Sequence, residues 1–143
     1  MKKIIALNGG KHSGKDRLAL KWDTNSDVHY IHPVCSRHKD LIDNFPYHQL
    51  LCSTMINGVS YNFYDSQLVD GYNVLIVDDY ALKDLVETNY EVIAVWVDNP
   101  KSELSERSGR YYGKEEYDYI YNYGLDEQDT FLEQIAFDSE VMG

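Results

Sequence analysis

The stretch that most constrains this chain is Gly9-Gly10-Lys11-His12-Ser13-Gly14-Lys15, which lies between the apolar run KIIALN (residues 3–8) and the helix-like KDRLALKW (residues 15–22). Strand, glycine loop and helix in that order form a phosphate cradle, and each part has a mechanical task. Glycines let backbone N–H groups curl around phosphate oxygens, the helix start adds the positive end of its dipole, and a lysine in the place of Lys15 reaches the terminal phosphates. A glycine-rich turn with a solvated lysine is the plainer alternative, but it does not require the three features to coincide. The expected nucleotide contacts are Gly9, Gly10, Lys11, His12, Ser13, Gly14, Lys15 and Asp16.

Asp16 departs from the usual pattern, in which a hydroxyl residue follows the lysine. A carboxylate oxygen is also a hard ligand for Mg²⁺, directly or through water. Without metal its charge would repel phosphate. Asp16 is therefore expected either in the metal shell or as an acid favoured by the helix dipole. A second carboxylate is expected from GYNVLIVDDY (residues 71–80), an apolar run ending in acid. Asp78 is the first choice beside the metal and Asp79 the second; the alternative is that these acids simply cap the next helix.

The rest of the chain alternates short strands and helices. VHYIHPVC (residues 28–35) reads as one strand, with Pro33 suited to an edge or a strand end. LLCSTM and VSYNFY flank Ile56-Asn57-Gly58, so residues of about 50–65 are expected to form a β-hairpin. ALKDLVET (81–88) and KSELSERSGR (101–110) read as helices, EVIAVWVDNP (91–100) as a buried strand and YDYIYNY (117–123) as a tyrosine-alternating strand. LDEQDTFLEQIAF (125–137) reads as a final helix with Leu125, Phe131, Leu132 and Ile135 on one side, followed by a frayed DSEVMG. This order predicts an α/β chain: a three-layer P-loop NTPase fold around a mostly parallel sheet, with residues 1–143 as a single domain.

Composition narrows the partners. A net charge of −11 argues against a broad nucleic-acid or anionic-membrane footprint, while leaving room for a nucleotide in a local positive pocket. No apolar stretch is long enough to span a bilayer, and MKKIIALNGG is too short in its apolar part for a signal peptide. Cys35 and Cys52 show no metal spacing and read as ordinary thiols in a reducing compartment, so a cytoplasmic protein is expected. His12 and His38, flanked by lysines, read as extra local cations.

The phosphate loop, Ser36-Arg37, NGVSYNFYD (57–65), NVLIVDD (73–79), VIAVWVDNPKSELSER (92–107) and YDYIYNYGLDE (117–127) follow one another as corresponding segments do in guanylate kinases. Over nearly its whole length the chain resembles P-loop nucleoside monophosphate kinases. Its SGKD loop (13–16) looks more like that of bacteriophage deoxynucleoside monophosphate kinases, which implies a virus-encoded protein acting in a host cytoplasm. The resemblance implies ATP as phosphoryl donor, Mg²⁺ as cofactor and a nucleoside or deoxynucleoside monophosphate, GMP or dGMP among them, as acceptor. It makes Ser36, Arg37, Tyr61 and Asp78 acceptor-side residues, Asp16 and Asp78 metal-side residues, and Lys15, Arg37, Arg107 and Arg110 the cations that stabilise transferring charge.

Three departures stand out. Asp40 replaces the family's second arginine, with Lys39 beside it, and only DSQLVDGY (65–72) stands where the family inserts a helix and further base-binding residues. The lid is likewise cut down to SGRYYGKEE (108–116), with Arg107 and Arg110 as its available cations. The competing expectations are a catalytically weak nucleotide-binding regulator on the same fold and an interaction module or homodimer. Thirteen tyrosines, a residue type enriched at interfaces, favour the latter.

Overall fold

Strand β1 (Lys2–Gly9) organises the molecule because both of its faces are apolar. Ile4 and Ala6 point into one core, Ile5 and Leu7 into the other, and all four are fully buried. A strand with period-two side chains and no polar face has to lie inside a sheet covered on both sides. It does: β1 pairs in parallel with β6 (Gly71–Ile76) on one side and β7 (Glu91–Asp98) on the other. β2 (Val28–Tyr30) and β8 (Tyr119–Asn122) form the edges, giving an all-parallel five-stranded sheet in the order β2-β6-β1-β7-β8.

This computed structural model describes residues 1–10, 13–35, 49–56, 58–99 and 117–142. Lys11, His12, Ser36, Arg37, His38, Lys39, Asp40, Arg107 and Arg110, and the segment expected as a helix at 101–110, lie outside the described residues.

Helices α1 (Lys15–Trp22) and α3 (Gln128–Met142) cover one face of the sheet, where Leu18, Ala19, Trp22, Leu132 and Ile135 join Ile5, Leu7, Val74 and Val95. Helix α2 (Asp79–Val86) covers the other, setting Ala81, Leu82 and Leu85 against Ile4, Ala6, Leu75 and Trp96. The result is a three-layer α/β arrangement of the P-loop NTPase kind. On the α2 side lies a smaller antiparallel sheet, β3-β5-β4, made of β3 (Val34–Cys35), β4 (Leu50–Ile56) and β5 (Val59–Tyr64). Leu51, Cys52 and Phe63 insert it into the α2 core.

Three local expectations differ from the structure. Residues 28–35 form two strands in different sheets. Ile31 N–H still bonds to Val74 C=O at 3.0 Å, but Pro33 has no N–H to donate, and the chain leaves the main sheet there to pair Val34 and Cys35 with β5. Leu125 is 88 % exposed, because helix α3 begins only at Gln128. The segment expected to fray continues α3 to Met142, with Ser139 buried and hydrogen-bonded to Glu91 and Lys3 across the ends of the strands.

Candidate functional site

The loop leaves β1 at the carboxyl end of the sheet, between the two neighbours that continue it in opposite directions. Such a crevice is where open α/β sheets bind ligands. Its first residue tolerates no side chain: a Cβ on Gly9 would lie 2.7 Å from the Val97 carbonyl oxygen of the adjacent strand and 2.6 Å from Ser13 Oγ. Ser13 N–H then closes a turn on Gly10 C=O at 3.1 Å, and its hydroxyl is fully buried with no hydrogen-bond partner among the described residues.

Gly14 caps α1 with φ +97°, in the left-handed region that favours glycine, and a Cβ there would come within 2.4 Å of the Tyr123 ring. The first helical bond runs from Leu18 N–H to Gly14 C=O at 3.0 Å. The amides of Lys15, Asp16 and Arg17 therefore have no helical acceptor and sit at the positive end of the helix. These are the groups an anion would recruit.

Lys15 folds back over the loop, its Nζ donating to Gly9 C=O at 2.9 Å. Burial pulls its pKa below the usual lysine value, while the nearby negative charges of Asp16 and Asp78 oppose the shift. A half-buried ammonium beside helix-start amides that lack helical acceptors can bind an oxyanion. Beside it opens a cleft of about 380 Å³, bounded by residues 13–17 on one side and by Asn99 and Tyr123 on the other.

Asp16 is exposed at the start of α1 and accepts a hydrogen bond from Tyr30 Oη at 2.9 Å. Burial first, and then this bond and the aspartate's charge, raise the Tyr30 pKa well above the ordinary tyrosine value. Tyr30 is thus fixed as a donor to Asp16, a pairing that strand propensity at 28–30 does not reveal.

The two acids after β6 separate sharply. Asp78 accepts Ala81 N–H at 2.8 Å and caps α2. Asp79, one residue on, is fully buried: its Oδ1 accepts from Asn8 Nδ2 at 3.0 Å and from Tyr117 Oη at 2.9 Å, and its Oδ2 has no partner among the described residues. Tyr61 lies in the smaller sheet, opposite Cys35 of β3 and Thr54 of β4. Of the residues expected at the site, the structure brings together Gly9, Gly10, Ser13, Gly14, Lys15 and Asp16, with Asp78 within electrostatic reach of Lys15. Asn8, Tyr30, Tyr117 and Tyr123 were not legible as site neighbours. Only Asn8 carried a signal, as a polar residue ending an apolar run.

Among the described residues no group of three or more His, Cys, Asp or Glu side chains forms a metal cage. Mg²⁺ is commonly held by one or two carboxylates together with substrate phosphates and water. Asp16 and Asp78, both near Lys15, are carboxylates of that kind. Among the described residues, no helix is long and apolar enough to cross a membrane.

No protein-family model and no curated protein sequence matches the chain. Among solved structures, it is similar to a guanylate kinase from Anaplasma phagocytophilum, with a TM-score of 0.58 and 11 % identity over 98 % of this chain and 85 % of that one. At that identity the similarity establishes the fold and leaves chemistry to the residues.

Proposed function

We propose that this protein transfers the γ-phosphoryl group of ATP to a nucleoside or deoxynucleoside monophosphate, with GMP and dGMP the first acceptors to test. The observation that carries the reading is the joint geometry of the loop: a side-chain-free Gly9, a left-handed Gly14 starting a helix whose first amides lack helical partners, and a Lys15 ammonium bonded back to the Gly9 carbonyl, all at the carboxyl end of the central strand. An acceptor phosphate oxygen forms a bond to the γ-phosphorus, the bond from that phosphorus to the β,γ-bridging oxygen breaks, and ADP leaves. Lys15 and the loop amides orient the donor and offset charge on its phosphates. Asp16 and Asp78 would hold Mg²⁺, which when bound neutralises phosphate charge. Arg37 and Tyr61, with Ser36, are assigned to the acceptor phosphate, and Arg107 and Arg110 to the transferred group.

One observation favours a nucleotide-binding regulator as the second reading. Only a 3₁₀ turn, Asp65–Gln67, and three further residues join β5 to β6, so little chain is available there to enclose an acceptor base. A coupled ADP-release assay across the nucleoside and deoxynucleoside monophosphates decides between them. Turnover with one or more acceptors, abolished in a folded Lys15→Ala variant, supports the kinase. ATP binding without turnover supports the regulator, and absence of both rejects the phosphate-loop reading.

A further inference from the structure

The loop begins on a buried polar triangle that the reaction above does not use. Asn8, one residue before the end of β1, engages both ends of its side-chain amide: Oδ1 accepts Gly9 N–H at 2.8 Å, and Nδ2 donates to Asp79 Oδ1 at 3.0 Å and to Tyr117 Oη at 2.7 Å. Tyr117 in turn donates to the same Asp79 oxygen at 2.9 Å. Asn8 and Asp79 are 71 positions apart and Asn8 and Tyr117 109 apart, so the triangle exists only in the folded chain.

We propose that Tyr117 is a positioning residue that sets the geometry of the phosphate loop through Asn8; the proposal rests on the phosphate-loop reading. An asparagine amide can point either way, and turning it over here would set its oxygen against the Asp79 carboxylate and its NH₂ against Gly9 N–H. Asp79 and the Gly9 N–H select the observed orientation, and the Tyr117 hydroxyl, at once acceptor from Asn8 and donor to Asp79, holds the two side chains in register. That orientation pins the N–H of Gly9, the residue whose carbonyl receives Lys15 Nζ. Among the described residues Asp79 Oδ2 already lacks a partner, and without the hydroxyl Asp79 Oδ1 would keep Asn8 Nδ2 as its described donor. Each hydrogen bond removed from such a buried site is not replaced by water, so losing the hydroxyl loosens the geometry it helps to hold.

The test is titration of ADP without Mg²⁺ into four proteins: wild type, Tyr117→Phe, Asn8→Ala and the double variant, each shown to be folded by circular dichroism. Tyr117→Phe should weaken ADP binding about tenfold, the effect of one well-placed buried hydrogen bond. Asn8→Ala should weaken it at least as much. In the Asn8→Ala background, Tyr117→Phe should change affinity less than twofold, because its route to the loop is gone. Exchange of the Gly9 amide hydrogen should also accelerate in Tyr117→Phe while that of Ala6, inside β1, is unaffected. Additive losses, or wild-type affinity in either single variant, would overturn the proposal; Asn8→Ala keeps it testable even where Tyr117→Phe does not fold. Failure of the wild-type protein to bind ADP would count against the phosphate loop itself.

Discussion

Replacing Gly14 by alanine separates two costs that the structure superimposes at one atom. The backbone at φ +97° is disfavoured for any residue with a Cβ, which costs about 1–2 kcal/mol. The added methyl would also lie 2.4 Å from the Tyr123 ring, whose backbone is held by a 2.9 Å bond from its N–H to Asp98 C=O. Overpacking of that kind costs about 1–3 kcal/mol. Gly14→Ala should thus lose about 2–5 kcal/mol, a large fraction of the ~5–15 kcal/mol that stabilises an ordinary protein. In a Tyr123→Ala background the ring is absent, and the same substitution should cost only the backbone part, about 1–2 kcal/mol. Urea unfolding of the four proteins measures both, and the packing lost with Tyr123 itself cancels in the cycle. Equal costs in the two backgrounds, within about 0.5 kcal/mol, would refute the packing of Tyr123 on Gly14. A cost below that value in both would refute the left-handed cap.

Asp16→Asn should weaken Mg²⁺-dependent ATP binding and strengthen metal-free binding, because it removes both a metal ligand and a charge repelling phosphate; calorimetry showing an unchanged ratio of the two affinities would remove Asp16 from the metal shell. Lys15 carries a lowered pKa in the fold, so the penalty for burying its charge is complete at neutral pH and lifts as pH rises through the folded value toward 10.5. Lys15→Met should accordingly be more stable relative to wild type at pH 7 than at pH 10, and an equal gap in urea unfolding at both would contradict the burial argument. Asn73 is fully buried and bonds Lys3 C=O at 3.0 Å and both the N–H and C=O of Val69 at 2.9 and 2.8 Å, so Asn73→Ala should cost about 2–4 kcal/mol in the same assay.

What the sequence determined by itself was whatever is carried by contiguous residues. The apolar runs within β1, β6 and β7 require burial on both faces, and the Gly-Gly-Lys-His-Ser-Gly-Lys string places amides, glycines and an ammonium close together along the chain whatever surrounds them. Tertiary structure decided everything that depends on which distant segments meet. The sequence shows Asp78 and Asp79 as adjacent acids at a strand end, with Asp78 the first choice beside the metal and Asp79 the second. Helix α2 begins between them, so one carboxylate caps it at the surface while the other turns inward to meet Asn8 and Tyr117. Pro33 was visible as a strand breaker, but only the pairing of Val34 and Cys35 with β5 shows that the chain changes sheets there. Leu125 fits the helical period of residues 131–135 and is nonetheless exposed, because the turn before α3 is closed by bonds from Leu125 N–H and Asp126 N–H to Asn122 C=O. Tyr123 has no local mark separating it from the other tyrosines; its place against Gly14 follows from β8 lying beside β7, and sheet order is a contact between chain segments that periodicity does not encode.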